Sequence, residues 1–117
     1  MKLHKVIHKQ SGQVIGEKVE LATSLIRRSV GLMFRSTMGE VDGVIIENTN
    51  SVHTCFMRFP MDAVFLSRDN TIIKIIRRMK TWRFTWIYWR AVRVLEFEGG
   101  VLPESVREGD TLEVTLV

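Results

Sequence analysis

The sequence predicts an α+β domain, mainly antiparallel β, built as one compact β-sheet or barrel-like unit with one short helix. Short apolar runs recur along the chain with turn residues between them. A single segment switches from two-residue to helical spacing. At 117 residues, the chain has the length of one domain with one core, so residues 1–117 are read as a unit.

Residues 3 to 9 and 14 to 21 read as strands joined by Gln10-Ser11-Gly12. Ile15, Val19 and Leu21 share one face; Glu17, Lys18 and Glu20 are assigned to solvent. Thr23 or Ser24 offers an N-cap. Ala22, Ile26, Val30 and Met33 then fall on a helical stripe, with Leu25 and Leu32 beside it. Gly31 inside that stripe costs about 1 kcal/mol against alanine unless a close contact requires it. Gly39 and Gly43 mark a turn region before a strand at Val44 to Ile46.

His53 to Met57 and Met61 to Leu66 read as strands around Phe59-Pro60. Both are apolar on both faces, which places them centrally in a sheet. Arg68-Asp69-Asn70 is a turn, and Thr71 to Ile76, Ala91 to Phe97 and Leu112 to Val117 are further strands. The last alternates, with Leu112, Val114 and Leu116 directed inward.

Composition narrows the function. With 45% hydrophobic and 26% charged residues, global disorder is excluded. One cysteine excludes an internal disulfide and a multi-cysteine zinc site. The opening Met1-Lys2-Leu3-His4-Lys5-Val6 has no signal-peptide core, and no run approaches the roughly 18 apolar residues of a membrane span. The expectation is a soluble cytoplasmic protein without a cofactor. Lys74 to Arg93 carries seven cations and no acid, so the other 97 residues sum to −3 against a total of +4. The basicity is local.

Three groups of residues are candidates for chemistry. His53 and Cys55 project from one face if extended, and Asp62 follows the Phe59-Pro60 bend. Imidazole, thiolate and carboxylate suit zinc or copper, and a Cys-His pair can make a nucleophile with its base. A cysteine more often only packs, so the expectation is no metal. Arg35, Arg58, Asp62 and Glu96 form a second group. A structural network in which Arg35 or Arg58 clamps Asp62 is favoured over a catalytic pocket around His53, Asp62 and Glu96, because buried carboxylates in strands seldom stand unpaired. The third group is the surface candidate: Trp82, Arg83, Phe84, Trp86, Tyr88, Trp89 and Arg90. Extended, this strip lines up four aromatics between cations, a face for a protein partner or self-association, and secondarily for single-stranded nucleic acid or an anionic membrane. His4 and His8 lie on one side of the first strand, where solvated histidines are ordinary. Gly109-Asp110 reads as a turn with a side-chain hydrogen bond.

Four pieces resemble one family in order and spacing. They are Arg28-Ser29-Val30-Gly31-Leu32-Met33-Phe34-Arg35, the His53–Leu66 segment, Leu95-Glu96 followed by Gly100, and Gly109-Asp110 before a terminal strand. Together they look like the "domain of unknown function 192" family of small prokaryotic proteins, from about residue 14 onward. The resemblance implies a single β-rich domain with one short helix, and no established activity, cofactor or catalytic residue. Many relatives look exported, whereas this chain opens without a leader. Relatives also tend toward proline-containing loops where this chain has Thr81 to Trp89, so the aromatic strip is expected to be its own.

Overall fold

The computed structural model describes residues 3–22, 41–55 and 57–117. Seven strands form one sheet: β1 (Leu3–His8), β2 (Val14–Ala22), β3 (Gly43–Glu47), β4 (Met61–Leu66), β5 (Ile72–Met79), β6 (Arg93–Glu98) and β7 (Leu112–Leu116). The order is β5-β4-β6-β3-β2-β1-β7. All neighbours are antiparallel except β2 and β3, which pair in parallel. A parallel pair needs a long crossover, and the stretch between Ala22 and Gly43 supplies that length. The predicted helix and Arg35 fall in that stretch, outside the described residues.

The sheet curls into a half-barrel. Its two edge strands come together where Thr71 bridges Thr111. Around that point Ile72 N donates to Asp110 O (2.8 Å) and Leu112 N to Asn70 O (3.0 Å). The edge of β5 is further covered by the β6–β7 connection: Gly109 N donates to Ile72 O and Ile75 N to the Glu108 carboxylate. Backbone groups that would otherwise invite another strand are thereby used within the chain.

The concave face holds the main core. Val6, Val19, Ile45, Val64, Leu66, Leu95, Phe97 and Leu112 pack there, and Leu102 and Val106 of the β6–β7 connection plug it. Gly43 makes the close packing of Phe97 possible, since a Cβ there would stand 2.9 Å from the Phe97 ring and 2.8 Å from the Glu96 carbonyl oxygen. The convex face carries two smaller clusters, one around Val44, Ile46 and Met61 and one around Ala63, Phe65, Ala91 and Val94.

Several expectations change. Among the described residues of 53–57 none lies in a strand; His53 makes an isolated bridge, to Phe84. Thr54 bonds the loop at Lys80 and Arg83 rather than a sheet partner. Glu20 is buried, not solvated, because β2 is covered on both faces between Val19 and Ala22. Along β7 burial fades from Leu112 to an exposed Leu116, since the edge strand outruns the core.

Candidate functional site

The mid-chain candidates do not converge. In the β4–β6 register Asp62 faces Phe97 while Glu96 faces Ala63. Adjacent residues of a strand point to opposite faces, so the two acids lie on opposite sides of the sheet. Asp62, on the concave side, is buried and accepts three backbone hydrogen bonds: Arg78 N at 2.8 Å, Gly100 N at 3.0 Å and Leu102 N at 2.9 Å. It ties the end of β5 and the start of the β6–β7 connection to β4. The clamp expected from Arg58 is thus made by main-chain amides, and Arg58 is exposed. Arg77 reinforces the same loop by donating to the carbonyls of Leu102, Pro103 and Val106 at 2.7–3.1 Å.

Glu96 is buried on the convex side, and among the described residues no group hydrogen-bonds it. Burial pushes its carboxyl up to about 8, so the neutral acid prevails at neutral pH. Glu20 lies in the same row of the sheet, beyond Val44.

His53 is exposed, with its Nδ1 accepting from Cys55 N at 3.2 Å, and Cys55 is half-buried. Among the described residues no three His, Cys, Asp or Glu side chains gather where they could hold a metal ion. His8 is not a surface histidine: it is buried, 2.7 Å from both Ser11 Oγ and Asp110 Oδ2. That histidine, then the Arg107 amide, holds the Asp110 carboxyl below its usual range.

The aromatic strip is exposed. Trp82 is 56%, Phe84 77%, Trp86 83% and Trp89 81% accessible. Tyr88 departs from the alternation; it turns inward onto Phe65, with ring centroids 4.7 Å apart, and Trp89 stands outside instead. The segment is no strand, yet it is strapped down. Buried Thr54 is the hub: its hydroxyl donates to Lys80 O (2.6 Å) and accepts from Arg83 N (2.9 Å), while its amide donates to Arg83 O (2.8 Å). Further along, Val52 N donates to Thr85 Oγ1, Thr85 N to Val52 O and Tyr88 N to Asn50 O. Trp82 sits at φ +59°, a conformation a tryptophan adopts only when its surroundings enforce it.

Most cations of the basic window serve the fold. Lys74 lies 3.8 Å from Glu108, Arg93 Nε donates to Glu47 at 3.1 Å, Arg77 caps carbonyls, and the Arg78 guanidinium lies over Gly100. Lys80, Arg83 and Arg90 remain exposed beside the aromatics.

One feature escaped the sequence reading. Beside the seam of the half-barrel a cleft of about 260 Å³ is lined by His4, Leu21, Ile45, Glu47, Arg68, Asn70, Arg93 and Val114. The inward side of His4 was legible from alternation with Val6, but the meeting of the Arg68-Asp69-Asn70 turn with β1 and β7 depends on how far the sheet curls.

A half-barrel of this topology, with a clamped loop over its core and an aromatic face outside, defines a small β-rich domain class. The chain belongs to the DUF192 family, described as "Uncharacterized ACR, COG1430", whose model matches residues 6–114. It is 33% identical over 106 residues to the UPF0127 protein of Pyrococcus furiosus, covering 87% of this chain and 90% of that one. A Sinorhizobium meliloti 1021 crystal structure described as a "putative transcription regulator" superposes with TM-score 0.79 at 26% identity, over 97% of this chain and 92% of that chain. A Novosphingobium aromaticivorans protein of unknown function superposes with TM-score 0.74 at 23% identity, over 95% and 83% of the two chains.

Proposed function

We propose that this protein is a binding module that docks a protein partner on the strip formed by Trp82, Arg83, Phe84, Trp86, Trp89 and Arg90. The supporting observation is the exposure of four large aromatics on a segment whose backbone is strapped in place. Mobile loops expose side chains cheaply; a hydrogen-bonded segment holding tryptophans in water does so at a standing cost. At roughly 150–250 Å² each when covered, four aromatics supply about the 800 Å² that one partner contributes to a specific interface. Tryptophan and arginine are also the residue types that dominate interface energetics.

The description of the Sinorhizobium relative favours a second reading, in which the strip stacks single-stranded nucleic acid. Three exposed cations would give a modest salt slope, about −2 in log K against log salt. Pull-downs with wild type and the Trp86→Ala/Trp89→Ala variant test the docking reading. It predicts a protein recovered by wild type, lost with the variant, and retained at moderate salt. Equal recovery by both chains contradicts it. Recovery of nucleic acid that falls with salt supports the second reading.

A further inference from the structure

We propose that the cleft beside the half-barrel seam binds a small organic carboxylate, with its oxyanion toward Arg68 and Arg93 and its apolar part against Leu21, Ile45 and Val114. The cleft lies on the concave side and is independent of the aromatic strip, whose Tyr88 packs on the convex cluster.

The cleft is built rather than accidental. Arg93 is held rigidly: Nε donates to Glu47 Oε1 (3.1 Å), and Nη1 donates to Asn70 Oδ1 (2.7 Å), Ser67 O (3.2 Å) and, weakly, Arg68 O (3.4 Å). Its Nη2 has no hydrogen bond to any described residue. A guanidinium whose position is fixed while one nitrogen stays free is preorganised to receive an oxyanion. Asn70, at φ +63°, gives its carbonyl oxygen to Arg93, which leaves its amide nitrogen for a ligand. Arg68 is exposed at the rim and its side chain makes no hydrogen bond to the described residues. His4 Nδ1 is buried without a partner, and a buried polar atom in that state calls for a ligand or a bound water.

Charge and size select the class. Arg68 and Arg93 against Glu47 leave the cleft with one net positive charge apart from His4, which matches a monoanion better than a phosphate dianion. Glu47 Oε2 makes no hydrogen bond to the described residues and can accept from a hydroxyl on the ligand. A volume of about 260 Å³ equals roughly eight or nine water molecules of liquid, which suits a short acid with an apolar or hydroxylated tail. Mouths of curled sheets are common places for such sites.

The test is a titration of isotope-labelled protein with lactate, and in parallel with propionate, inorganic phosphate and chloride at constant ionic strength, followed by NMR. The proposal predicts saturable shifts at Leu21, Ile45, Asn70, Val114, the His4 ring and the Arg93 Nε–H with the carboxylates, and weaker binding of phosphate. Arg68→Gln removes one charge-assisted contact without touching the fold and is predicted to weaken lactate binding about tenfold. His4→Phe is predicted to weaken it as well while Arg93 stays in place. Non-saturating shifts, shifts away from the cleft, equal responses to phosphate and chloride, or unchanged affinity in Arg68→Gln would each overturn the proposal.

Discussion

Two regions of this molecule invert the usual rule that polar groups face water and apolar groups avoid it. In the clamp, Asp62 and Arg77 are drawn in from solvent to bind main-chain groups of the β6–β7 connection. In the strip, tryptophans and a phenylalanine stand in water. The clamp is complete within the chain, since each Asp62 oxygen has its donors. The strip is not, since Phe84, Trp86 and Trp89 each remain more than three-quarters exposed. Buried polar groups that are satisfied belong to architecture; exposed apolar groups on a held backbone are complete only with something outside the chain.

The comparison is broken most severely at Asp62. Asp62→Ala removes the acceptor of three backbone amides, that of Leu102 buried and those of Arg78 and Gly100 partly so, and is predicted to cost about 3–5 kcal/mol, a loss of at least about 10 °C in melting temperature. Calorimetry or chemical denaturation reads it, and a change below about 1 kcal/mol would show that the clamp is ornamental.

Glu96 tests the other buried acid. Its carboxyl titrates near 8 in the folded chain, above its ordinary 4.5. The folded chain therefore keeps a proton that the unfolded chain loses, and stability falls as pH rises from about 4.5 to about 8, then levels. Glu96→Gln keeps the neutral shape without the proton. It is predicted to flatten that fall and to leave the variant more stable than wild type above pH 8, by an amount on the order of a few kcal/mol. Parallel pH profiles for the two chains would contradict the placement.

Asp110 is a milder case with the opposite sign. Its carboxyl is held low by His8 and then by the Arg107 amide, so its contribution is present above the ordinary carboxyl range and is lost as pH falls through its depressed value. Asp110→Asn is predicted to be less stable at neutral pH and to converge with wild type in acid, which melting curves across pH resolve.

Much of the architecture was readable in the chain. Met61–Leu66, apolar at every position but Asp62, is a strand hydrogen-bonded on both sides, as its two covered faces required. The strip, too, was visible from its residue types. What stayed hidden depended on distant partners. Thr54 looks like part of an apolar strand, yet its bonds go to Lys80 and Arg83, and no local pattern announces them. Asp62 visibly needs partners, but backbone amides carry no side-chain signature, so the sequence points to arginines instead. Alternation tells which residues share a face and not which face is covered, so Glu20 reads as solvated although it is buried. The predicted helix and Arg35 lie outside the described residues. The cleft was unreadable because the curl of the sheet brings His4, Asn70 and Arg93 together.

At the strip, Trp86→Ala/Trp89→Ala is predicted to move stability by no more than about 0.5 kcal/mol, the ordinary range for exposed sites. The most direct measurement uses the fact that Trp82, Trp86 and Trp89 are the three tryptophans of the chain, so intrinsic fluorescence reports on the strip alone. Native protein, measured across a range of dilution, is predicted to emit at the long wavelength of water-exposed indole and to be quenched by acrylamide nearly as well as after denaturation. Short-wavelength emission protected from acrylamide would mean that the strip is already covered, and would contradict the account.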